Sequence, residues 1–78
     1  MKLPRGVSAE RVIRALERLG YQVIRQKGSH VRLRHGDPPV HSVTVPLHDA
    51  LTTGTLHGIL AEVAQARSMT VDRIADLL

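Results

Sequence analysis

The run Arg25-Gln26-Lys27-Gly28-Ser29-His30-Val31-Arg32-Leu33-Arg34-His35 holds the densest set of side chains able to do chemistry in this chain. It reads as two strands meeting at a glycine-serine turn, with an imidazole just past the turn and four permanent cations beside it in sequence. Cations of this kind hold a phosphodiester, and an imidazole moves a proton near neutral pH. The pairing suits RNA cleavage, because RNA brings its own nucleophile, the 2′-hydroxyl. Such a cut needs a base for that hydroxyl, an acid for the leaving 5′-oxygen and positive charge for the phosphorane. One histidine with a lysine and arginines covers these needs without a metal. The expected products are a 2′,3′-cyclic phosphate and a 5′-hydroxyl, and DNA should be immune. His30 is the candidate general acid/base. Arg25, Lys27, Gly28, Ser29, Arg32, Arg34 and His48 are the candidate RNA-binding residues, and of these Lys27 and His48 are also the candidates for the second proton-transfer group.

Other chemistries fit less well. His30, His35, His41, His48 and His57 offer no i, i+3 or i+4 pair on any predicted helix, and there is no cysteine, so neither a metal nor another cofactor is expected. Ser29 adjoins His30, and successive strand residues point apart, so the two do not form a nucleophile–base pair. No G-x-S-x-G elbow is present, and no glycine-rich phosphate loop precedes a helix. Tyr21 is the one aromatic residue, which excludes a stacking platform of Phe or Trp. Residues 1–35 hold nine basic and two acidic side chains (+7), and residues 36–78 hold two and five (−3), summing to +4. That asymmetry suits a polyanion on one side of the molecule. No apolar run is long enough for a membrane span, so a soluble cytoplasmic protein is expected. A second class of function shares the same cations, namely a non-catalytic RNA-binding module that contacts phosphates and 2′-hydroxyls. His30 decides between the two.

The scaffold that must place these residues is legible from periodicity. Ser8 is a plausible N-cap with a Val7–Val12 staple, and Val12, Ile13, Leu16 and Leu19 mark one face of a helix over 8–19 that Gly20 ends. Residues 21–26 read as a strand in which Val23 and Ile24 compete for the inward face. A bulge could reconcile them, and their parity stays open. After Lys27-Gly28-Ser29, Val31 and Leu33 alternate with His30, Arg32 and Arg34, so the aliphatic pair faces inward and the charged trio outward. Gly36-Asp37-Pro38-Pro39 must turn, and Val40 to Val45 returns as a third strand until Pro46 stops it. Thr53 is read as the N-cap of a helix over 54–66 with Leu56, Ile59, Leu60 and Val63 on one face. Gly58 there costs about 1 kcal/mol against alanine, which close approach to the sheet would offset. A short last helix capped near Thr70 presents Val71, Ile74, Leu77 and Leu78. Residues 1–78 are therefore expected to form one α+β domain of order α-β-β-β-α plus a short C-terminal helix. Two helices cover one face of a three-stranded antiparallel sheet, and His30, Arg32 and Arg34 lie on the open face.

The segments Gly20-Tyr21, Arg25-Gln26-Lys27-Gly28-Ser29-His30, Val43-Thr44-Val45-Pro46-Leu47-His48, Gly54-Thr55-Leu56 and Ile59-Leu60 resemble the HicA toxin family of toxin–antitoxin modules. The likeness spans roughly residues 8–66. It implies a double-stranded-RNA-binding-domain-like fold, cleavage of messenger RNA without the ribosome, His30 as the catalytic group and a HicB-type antitoxin that occludes the site. The chain departs from the family pattern at Thr52 and Thr53, and at Leu47 between Pro46 and His48, where such toxins often carry basic residues. The resemblance thus implies a weaker grip on RNA near the second helix.

Overall fold

The structure is a computed structural model and describes residues 3–78; Met1 and Lys2 of the basic lead-in lie outside the described residues. Its elements follow the order α1 (Ala9–Arg18), β1 (Gln22–Lys27), β2 (His30–His35), β3 (His41–Pro46), α2 (Thr53–Arg67) and α3 (Val71–Ala75). This is the α+β, α-β-β-β-α architecture with an added short helix. The sheet has the order β1-β2-β3, and both pairings are antiparallel. Among the described residues no helix is long and apolar enough to cross a membrane.

The core is aliphatic, as a chain with a single aromatic residue requires. Val31 and Leu33 of β2 and Val43 and Val45 of β3 point inward against Val12 and Leu16 of α1 and Leu56, Ile59, Leu60 and Val63 of α2. Ile74 of α3 is fully buried in the same cluster, so the last helix does enlarge a small core. Val7 and Val12 both lie fully buried, and Ser8 caps α1 by accepting from the Arg11 backbone N–H at 3.2 Å. Ala9 and Ala15 complete the inner face of α1, while Ile13 and Leu19 are only partly covered.

Several expectations need correction. The cap of α2 is Thr52, whose hydroxyl accepts from the Thr55 N–H, and Thr53 is already helical. Gly58 does not approach the sheet: a Cβ built there meets nothing within 4 Å, so its helix-propensity cost is not offset by packing. Pro46 ends β3 from within, paired opposite His30. A proline is tolerated there because β3 is an edge strand. Lys27 belongs to β1 and pairs with His30, leaving a two-residue Gly28-Ser29 turn in which Gly28 has φ +57°.

Val23 takes the inward face, opposite the buried Leu33, but neither it nor Ile24 is buried. Both remain about half exposed, and the buried residue is Tyr21, just ahead of the strand. The register shifts between Val23, opposite Leu33, and Arg25, opposite Arg32, so Ile24 is the extra residue of a β-bulge. The consequence reaches the whole strand. Counting outward from the inward Tyr21 by twos would put Arg25 and Lys27 on the inner face, and the one-residue bulge reverses that parity. Arg25 and Lys27 therefore share the open face with their cross-strand partners Arg32 and His30.

Candidate functional site

Arg25, Lys27, His30, Arg32 and Thr44 line one depression of about 160 Å³ on the open face of the sheet. Three strands supply it: β1 the first two, β2 the histidine and second arginine, β3 the threonine. Residues directly opposite in an antiparallel pair sit on one face with Cβ atoms about 5 Å apart. Arg25 is such a neighbour of Arg32, and Lys27 of His30. Like charges placed directly opposite are destabilising, and no carboxylate lines the depression to relieve them. The Arg32 guanidinium is not loose: its Nη1 donates to Thr44 Oγ1 at 2.9 Å across the β2–β3 pair. His30 is exposed, and no described residue hydrogen-bonds its ring.

The remaining sequence candidates are distributed around this centre. Gly28 forms the turn and supplies its left-handed residue, with nothing within 4 Å of a built Cβ. Ser29 braces the turn through its carbonyl, which accepts from the Leu47 N–H at 2.6 Å. Arg34 lies farther along the same face in a neighbouring depression with Gln22 and Ile24. His48 is exposed and lines a different depression from His30, shared with Ser8, Glu10 and Asp49 at the start of α1. Its carbonyl accepts from the Ala9 N–H at 3.0 Å, which fastens the exit of β3 to that helix. Of the two candidates for the second proton-transfer group, Lys27 is the one that shares the His30 depression and pairs with it across the strands.

A second polar cluster sits under the turn between β2 and β3, and sequence reasoning missed it. His35 is 8% exposed on the inner face. Its Nε2–H donates to the Leu19 carbonyl at 2.9 Å, and its Nδ1 accepts from Arg67 Nη1 at 2.9 Å and the Asp37 N–H at 3.1 Å. Arg67 also donates to the carbonyls of Asp37 and Pro39. Tyr21 donates its hydroxyl to His41 Nδ1 at 2.7 Å, and His41 Nε2–H reaches Glu62 Oε1 at 3.3 Å. Burial raises the Tyr21 phenol above its ordinary value; Arg67 opposes that and Glu62 adds to it. Gly20 is required here twice over. It has φ +101°, and a Cβ would lie 2.8 Å from His35 Nε2. The signal for the cluster was the parity that sends His35 and His30 to opposite faces, but Glu62 and Arg67 are distant in sequence and only the fold brings them in.

Among the described residues no three His, Cys, Asp or Glu side chains gather as metal ligands. The molecule is thus a small α+β protein whose open sheet face concentrates cations around one uncommitted imidazole. The chain belongs to the HicA toxin family: the family model described as HicA toxin of bacterial toxin–antitoxin matches residues 9–65 of its 78. It is accordingly the toxin component of a toxin–antitoxin system, and an antitoxin is its partner. Neither the curated proteins nor the solved structures include a significant match to the chain.

Proposed function

We propose that this toxin is a metal-independent endoribonuclease that cuts messenger RNA in the cytoplasm, with His30 as general acid/base and the 2′-hydroxyl as nucleophile. The observation that carries the reading is the Arg25–Arg32 cross-strand pair, two like charges kept opposite each other beside an unbonded imidazole in a depression that no described carboxylate lines. A sheet that keeps such a pair forgoes stability that an acidic residue would supply, and a held phosphodiester compensates it. Arg32, fixed by Thr44, and Arg25 take the phosphate oxygens. His30 takes the ribose proton, and Lys27, its cross-strand neighbour, serves the leaving oxygen. Arg34 extends the cationic track. A HicB-type antitoxin would act by covering this open face.

The test is His30→Ala assayed on RNA in chelator, with growth on induced expression as companion readout. The expected result is loss of cleavage and of growth arrest with RNA binding retained. Wild type and variant that bind RNA alike while neither cuts would make the protein a non-catalytic RNA-binding module instead. Cleavage that vanishes in chelator would remove the metal-free mechanism.

A further inference from the structure

At the far end of β2, where the open face meets the end of α1, lies a larger depression of about 310 Å³ lined by Gln22, Ile24, Arg34, Gly36 and Asp37, with Leu19, Gly20 and His35 on the α1 side. Arg34 stands directly opposite Gln22, so both project from the open face. The Arg34 guanidinium lies against the main chain at Gly36, with Nη1 3.7 Å from where a Cβ would stand, an ordinary van der Waals distance. Ile24, the bulge residue, adds a half-exposed apolar wall where a strand on water would ordinarily carry a polar side chain. Asp37 is held by its backbone from two sides: its N–H donates to His35 Nδ1 and its carbonyl accepts from Arg67. Its carboxylate enters no ion pair among the described residues.

A planar guanidinium, an aliphatic wall, an amide and a pinned free carboxylate are the parts that recognise an unstacked RNA base. The guanidinium stacks on the ring and the polar groups read its edge. We propose that this depression is a nucleobase subsite selective for guanine. Guanine offers two adjacent donors, N1–H and the N2 amino group, to one carboxylate; adenine, cytosine and uracil each offer a single donor group with an acceptor beside it. Arg34 is four residues from His30, about 13 Å along the strand, a span that an extended RNA strand crosses in a few nucleotides. The subsite would therefore choose which phosphodiester arrives at the imidazole. The inference rests on the reading that the open face takes RNA, and it adds a sequence preference to it.

The experiment uses four fluorescein-labelled uridine hexamers with guanosine, adenosine, cytidine or uridine at one central position, with the His30→Ala protein so that the RNA survives, and reads affinity by anisotropy. The guanosine hexamer should bind about tenfold tighter than the other three, the low end of a good bidentate contact. Asp37→Asn keeps the backbone bonds to His35 and Arg67 but presents an amide donor to a donor edge, and should bring the guanosine-to-uridine ratio to about one. Equal affinity for all four hexamers, or a ratio that survives Asp37→Asn, overturns the guanine subsite and leaves the ribonuclease reading standing. Failure of every hexamer to bind would instead sink the RNA reading of the face, and the subsite with it.

Discussion

The open face and the polar cluster under the β2–β3 turn use histidine in opposite ways. His35 and His41 have their ring nitrogens engaged, by Leu19, Arg67 and Asp37 in one case and by Tyr21 and Glu62 in the other. His30 has no hydrogen-bond partner among the described residues and stands among Arg25, Lys27 and Arg32. A ring whose nitrogens are both taken locks tertiary structure, because buried polar groups left unpaired are costly. A ring with both nitrogens free can exchange protons with a ligand. The sheet separates the two uses by parity, and the difference teaches that a ring the fold leaves unbonded among cations is the kind the proposed proton transfer needs.

The sharpest way to break this comparison is to remove one ring from each region. His30→Ala should lower cleavage by about 10²–10⁴-fold, the usual share of a general acid/base, with the melting temperature nearly unchanged. Equal losses of activity and stability at His30 would show that its ring is structural after all. Gly20→Ala should do the converse. The strained φ and the collision with His35 Nε2 should destabilise the fold by about 2–3 kcal/mol and lower Tm by roughly 10–20 °C for a chain of this size. RNA cleavage per folded molecule should persist below the transition, and a melt matching wild type would deny the tight fit around His35.

A smaller effect tests whether the open face is prearranged. Thr44→Val leaves Arg32 without its acceptor and should weaken RNA affinity two- to fivefold, about 0.5–1 kcal/mol, whereas Thr44→Ser should restore it. If valine and serine behave alike, the bond to Arg32 does not position the guanidinium. The smallest effect belongs to Tyr21. Its phenol is raised in the folded chain, so its contribution is complete below the ordinary value of 10.0 and is lost as pH rises through the folded value, because the unfolded chain releases that proton first. Thermal melts across this alkaline range should fall more steeply for wild type than for Tyr21→Phe.

Much of this arrangement was written locally. The Ser8 cap, the Val31/Leu33 alternation and the apolar stripe of α2 each depend on neighbours a few residues away, so α1, β2 and α2 were readable within a residue or two at their ends. His30, Arg32 and Arg34 could be placed on the outer face for the same reason. Gly20 was legible as a helix terminator, but its closeness to His35 was not.

What the chain alone determined, then, is the order of elements and the face on which His30 stands, since periodicity and turn chemistry are properties of adjacent residues. What only the tertiary structure decided is which cations join it. Tyr21 is drawn inward by His35, His41 and Arg67 from three other elements or their ends, and the bulge at Ile24 then returns Arg25 and Lys27 to the open face. Parity in an edge strand with aliphatic side chains at consecutive positions is settled by such long-range contacts, because the local pattern satisfies either register equally well.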